Sequence, residues 1–135
     1  MMRLTISLAF LATVTPAVAA SYVDGTWYGQ GQPFDKSAMW LERFSADGEF
    51  HGLYRQCVKG KAQDSTQAGW WSLAGDIETL KISTTNGAFN PRTDIYEMLS
   101  HDARTWSYRY QADGYVYNAR RVDDKFQMPS CETIS

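Results

Sequence analysis

Apolar positions along this chain fall in short runs that alternate with polar ones, and no stretch holds the longer apolar stripe of an amphipathic helix. The runs are rich in aromatic and β-branched residues, the composition of half-buried strands. Turn signals punctuate them: Ala46-Asp47-Gly48, Ala74-Gly75-Asp76, Thr85-Asn86-Gly87, His101-Asp102-Ala103 and Ala112-Asp113-Gly114. Asp-Gly and Asn-Gly suit tight hairpins because both central residues need positive φ. Between the turns the pattern predicts eight strands, over residues 25–30, 38–44, 49–57, 67–73, 78–84, 94–100, 105–111 and 115–122. It leaves residues 57–67 as a long connection and residues 86–93, with Phe89, Asn90 and Pro91, as a loop.

Alternation also sets expected registers. If Ala46-Asp47-Gly48 is a three-residue loop, Phe44 faces Phe50 and Trp40 faces Tyr54, so all four rings share one surface. If Asp113-Gly114 is a two-residue loop, Trp106, Tyr108 and Tyr110 share a face with Tyr115 and Tyr117. A slip of one residue would turn each set of rings to the other side.

Strands joined in this local order form an all-β, antiparallel up-and-down (meander) barrel of about eight strands, which removes exposed edges. A two-sheet sandwich is the competing architecture, and it usually needs Greek-key crossovers that short hairpins do not supply. A barrel of this size either holds one small ligand or fills itself with side chains.

The first 20 residues change the picture of where the domain works. Met1-Met2-Arg3, the apolar run from Leu4 to Val14 and Ala17-Val18-Ala19-Ala20 before Ser21 have the order of a secretory signal with an A-x-A cleavage site. A transmembrane anchor needs about 20 consecutive apolar residues; Thr5, Ser7 and Thr13 interrupt this run and Thr15 ends it. Residues 1–20 are therefore expected to be a signal peptide, and residues 21–135 one periplasmic or secreted domain without a membrane anchor. Loss of Arg3 with the signal leaves 12 Lys and Arg against 15 Asp and Glu, a formal charge of −3. Such a balance argues against nucleic-acid binding through a basic face. In an oxidising compartment Cys57 and Cys131 are expected to pair and staple the C-terminal tail to the barrel wall.

Near the start of the expected domain, Gly25-Thr26-Trp27-Tyr28-Gly29 resembles the G-x-W signature on the first strand of lipocalins and related calycin barrels. Tyr117-Asn118-Ala119-Arg120-Arg121-Val122 is similar to the last strand, which in that family supplies an Arg. Phe44 through Phe50, and Gly69-Trp70-Trp71 followed by Gly75-Asp76, also resemble small bacterial lipocalin-like proteins of uncharacterised role. The resemblance implies a barrel plugged at its closed end by Trp27, with Arg121 or Arg120 lying across the indole. First and last strands are neighbours only if the sheet closes, and a guanidinium stacked on an indole contributes about 0.5 to 2 kcal/mol. In the alternative, Trp27 is ordinary core and both arginines are solvated.

Catalytic chemistry has little to stand on. His51 and His101 are too isolated for the usual metal-ligand spacing, and no C-x-x-C, H-E-x-x-H, G-x-S-x-G or phosphate-binding glycine loop occurs. No catalytic residue, metal or cofactor is expected. Glu42, Glu49, Asp94 and Glu97 lie on or beside strands, where a pair could face across the interior. Asp47, Asp76, Asp102 and Asp113 are accounted for by turns. Glu97 and Arg109 would mark a wet cavity if they point inward.

The rings of Trp40, Phe44, Phe50, Tyr54, Tyr108, Tyr110, Tyr115 and Tyr117 could line an apolar cup whose tyrosine hydroxyls orient a ligand, or could simply fill the barrel. Two functions follow. One is a non-catalytic binding protein for a small apolar or amphipathic molecule. The other is an interaction or inhibitor module that meets an envelope or secreted protein through loops carrying Phe89, Lys59 and Lys61 on a disulfide-stapled barrel.

Overall fold

The computed structural model describes residues 21–133. The expected signal, residues 1–20, lies outside them. Eight strands follow in chain order: β1 (Gly25–Gln32), β2 (Asp35–Phe44), β3 (Glu49–Val58), β4 (Lys61–Ala74), β5 (Ile77–Thr85), β6 (Ala88–His101), β7 (Thr105–Tyr110) and β8 (Val116–Val122). Each pairs antiparallel with the next, and β8 returns to β1 through Trp27 opposite Arg121, which closes the barrel. A short 3-10 turn (Cys131–Thr133) is the one helical element among the described residues.

Two connections differ from the sequence reading. Residues 57–67 are no loop: β3 and β4 pair out to Val58 opposite Lys61, around a two-residue turn at Lys59-Gly60. Residues 86–93 likewise are a two-residue turn at Asn86-Gly87 followed by strand from Ala88. All four turn residues have positive φ, 52° and 75° in the first pair and 52° and 78° in the second, the mirror-image hairpin geometry that suits twisted strands. The strand extensions escaped the pattern because they stand around an open end. Neither face of Lys61-Ala62-Gln63-Asp64-Ser65-Thr66 meets a dry core, so no apolar alternation is required of it.

The β2–β3 hairpin has the expected register, with Phe44 opposite Phe50 and Trp40 opposite Tyr54. At the β7–β8 turn the connection is longer than two residues: Tyr110 N donates to Tyr115 O (3.0 Å) and Gly114 N to Tyr110 O (2.8 Å). Tyr108 consequently pairs with Tyr117. A shift by two residues preserves side-chain parity, so Trp106, Tyr108, Tyr110 and Tyr117 still face inward together, while Tyr115 falls in the turn before β8.

The core gathers at one end. Trp27, Phe44, Phe50, Leu80, Ile82, Met98 and Trp106 pack there with Val23 beneath them. Trp27 and Trp106 stack nearly parallel at 4.2 Å, and Trp27 Nε1 donates to Val23 O (2.8 Å). Arg121 lies over the Trp27 ring, 4.4 Å from its centre, and donates to the carbonyls of Tyr22 (2.8 Å), Asp24 and Ala103 (3.0 Å). One guanidinium thereby ties the entering chain and the β6–β7 turn to the plug. Arg120 instead points out of the barrel, against Tyr28 and Phe126.

The tail after β8 explains why Tyr28 and Met39 are buried although they face outward. Phe126 packs on Tyr28 (5.0 Å), Asp124 accepts from Thr26 (2.7 Å), and Arg55 donates to Pro129 O (3.0 Å). The Cys57–Cys131 disulfide (Cα–Cα 5.4 Å) then fixes the tail to β3. Among the described residues no helix is long and apolar enough to cross a membrane.

Candidate ligand cup at the open end

Two glycines make room for the cup. Alternation points Gly29 and Gly52 inward, and a Cβ at Gly29 would run into the Trp40 ring, while one at Gly52 would crowd Tyr54 and Phe50. Trp40 and Tyr54 thus lie along the barrel wall instead of plugging the barrel. Above the core this leaves a cavity of about 320 Å³.

A belt of rings walls it. Trp40 meets Tyr117 edge to face (5.9 Å), Tyr117 stacks on Tyr108 (5.9 Å), Tyr108 meets Tyr96 edge to face (5.3 Å), and Tyr96 stacks on Tyr110 (4.9 Å). Of the rings expected from sequence, Trp40, Tyr54, Tyr108, Tyr110 and Tyr117 therefore line the cup. Phe44 and Phe50 lie below it in the core. Tyr115 is at the rim, exposed, edge-on to Phe34 (5.2 Å), and Phe34 itself overhangs the mouth.

Polar groups converge on the same space. Asp94 accepts from Arg92 at Oδ2 (3.0 and 3.2 Å) and from Tyr110 at Oδ1 (2.9 Å), so both its oxygens are occupied. With its amide oxygen turned inward, Gln67 accepts from Arg92 as well (2.6 Å). Glu42 is different. It is buried, and its carboxylate accepts one hydrogen bond among the described residues, from Tyr54 Oη to Oε2 (3.0 Å). A carboxylate can accept about four. Glu78, also buried, has Oε2 without a partner among the described residues. At the rim Asp113 takes the Tyr117 hydroxyl (2.5 Å).

The acids considered from sequence divide by strand parity. Glu42 and Asp94 line the cup. Glu49 lies outside near His51 (3.8 Å), and Glu97 pairs outside with Arg109 (3.2 Å), so the pair expected to mark a wet interior does not. Its place is taken by Arg92, Asp94 and Glu42. Arg92, Tyr96, Gln67 and Glu78 were not singled out from sequence; alternation through Asp94-Ile95-Tyr96 would have placed Tyr96 beside Asp94 once β6 was in register. His101 stacks on Tyr22 (3.5 Å), away from the cup. None of the described His, Cys, Asp and Glu side chains is grouped in threes so as to hold a metal ion.

Burial dominates the electrostatics of the two acids. It pushes Glu42 up to about 7, assisted by the charge of Asp94 and opposed by the Tyr54 hydrogen bond. Burial and the neighbouring Glu42 hold Glu78 well above the usual carboxylate range. A carboxyl raised on folding binds a proton in the native state that the unfolded chain has released, so stability falls as pH rises from the ordinary value of 4.5 to about 7. For Glu42 that loss amounts to about 3 kcal/mol above the window. Glu42→Gln is accordingly expected to stabilise the fold by up to about 3 kcal/mol at pH near 8, with little change near pH 4. Urea titrations of both proteins at the two pH values measure this; equal gains at both would refute the burial of an ionising Glu42.

No family model matches this chain, and neither a curated protein nor a solved structure shows significant similarity to it.

Proposed function

We propose that this chain is an exported, non-catalytic, lipocalin-like binding protein that takes up one small amphipathic molecule in the open end of its barrel. The observation that carries the reading is the 320 Å³ cup itself, walled by stacked rings and set with a few polar groups. Ligand sites have that make-up, and about 300 Å³ is the lower end of their size range. The Arg121 guanidinium over Trp27 supports the lipocalin likeness. The Cys57–Cys131 disulfide supports a periplasmic or secreted location.

Uptake of N-phenylnaphthylamine, a neutral amphipathic fluorophore, tests this. The protein is expected to enhance and blue-shift its emission. Ser65→Trp, which places an indole in the cup from β4, should abolish the effect while the far-UV spectrum stays that of the barrel. Equal enhancement by the filled variant would sink the cup as the site.

A second reading has one observation behind it: Phe34 and Phe89 stand 78% and 81% exposed beside the β1–β2 and β5–β6 turns. Exposed rings of this kind fit contact with an envelope or secreted protein. Here the support is hairpin tips, since the long loops expected from sequence are strands.

A further inference from the structure

We propose that the cup selects an organic cation, a primary ammonium on a small aromatic or apolar body, with the ammonium seated between Glu42 and the surrounding rings. The inference rests on the reading of the cup as a ligand site and deepens it.

The argument begins with a charge balance. Three carboxylates line the cup, Glu42, Asp94 and Asp113, against one cation, Arg92. Arg92 is committed to Asp94 and Gln67. An anionic ligand would meet acidic groups with no uncommitted cation to receive it. A neutral ligand would leave Glu42 protonated or, above about pH 7, charged without a counter-ion in a buried site, which is costly. An ammonium supplies both the counter-charge and the hydrogen-bond donors that this carboxylate lacks.

The rings provide an independent reason. Trp40, Tyr54, Tyr96, Tyr108 and Tyr117 line the same cavity as Glu42. Indole and phenol faces attract cations, most strongly when water is excluded. The apolar body of the ligand would then extend toward Phe34 at the mouth.

Binding should also move a proton. The groups that act on or respond to Glu42 are Tyr54 on β3, Glu78 on β5, Asp94 and Tyr96 on β6 and Tyr108 on β7. None is a cation that already holds Glu42 ionised. An arriving ammonium favours the ionised form, so below about pH 7 its binding releases a proton.

The test is calorimetric titration of the disulfide-bonded protein with three probes of one shape: phenethylammonium, phenethyl alcohol and phenylpropionate. At pH near 8 the cation is expected to bind about tenfold or more tightly than the alcohol, and the anion more weakly than either. Near pH 6 the cation's binding heat should vary with buffer ionisation enthalpy, reporting the released proton. Glu42→Gln should remove most of the cation's advantage over the alcohol, leaving only what the rings contribute. If the alcohol or the anion binds as tightly as the cation, or the cation does not bind, while N-phenylnaphthylamine is still taken up, cation selection is overturned and the cup reading stands. If N-phenylnaphthylamine also fails to bind, both fall.

Discussion

Reduction of the Cys57–Cys131 disulfide, or its replacement by a pair of serines, is expected to cost about 4.5 kcal/mol of stability. The bond closes a loop with a sequence separation of 74, and the chain-entropy relation assigns about that much to a loop of this size. Domains of this kind are stable by about 5–15 kcal/mol, so the loss would bring the barrel close to the unfolding threshold. The structure predicts where it would be felt. Without the staple the tail loses its covalent hold on β3, and Phe126 and Asp124 are left to keep it over Tyr28 and Thr26. Guanidinium denaturation with and without reductant gives the magnitude. Amide exchange in β1 and β2 gives the location, because these strands lie under the tail. A difference below about 1 kcal/mol would mean that the tail is held by its noncovalent contacts and that the bond constrains little.

Trp27→Ala is the second large effect, a loss of about 4 kcal/mol on the scale of buried aromatic truncations. The indole is fully buried and fills the closed end between Trp106 and the Arg121 guanidinium. Its removal leaves a cavity, strands the Val23 carbonyl that Nε1 satisfied and takes away the surface on which Arg121 stacks. Arg121→Lys should cost less, since the ammonium keeps a charge over the ring but lacks the fork that reaches three carbonyls at once. Thermal or denaturant melts of both variants test the order. Equal losses would show that the clamp, not the plug, holds the closed end.

The two ends of the barrel differ in how far they could be read. At the closed end the strands alternate cleanly, and residues such as Phe44, Phe50 and Trp106 declare their inward face because that face is dry. At the open end the inward positions include Ser65, Gln67 and Arg92, which look like surface residues in a linear pattern. The long hairpins of β3–β4 and β5–β6 were therefore foreshortened: Asn86-Gly87 was read as a turn without the strand that follows it, and Lys59-Gly60 was not read as a turn.

From the sequence alone came the all-β meander, its strand order and the parity of most rings, because period-two alternation and turn chemistry are local properties of the chain. The pairing of Cys57 with Cys131 was legible too, since the chain contains no other cysteine. The closed barrel was expected from that strand order; the choice of Arg121 over Arg120 above Trp27 and the separation of solid core from open cup were decided only in three dimensions. So was the gathering of Glu42, Arg92, Asp94 and the tyrosines around one cavity. Those residues sit on strands far apart in sequence. Which of them meet depends on the stagger of the whole sheet and on where Gly29 and Gly52 let large rings lie along the wall.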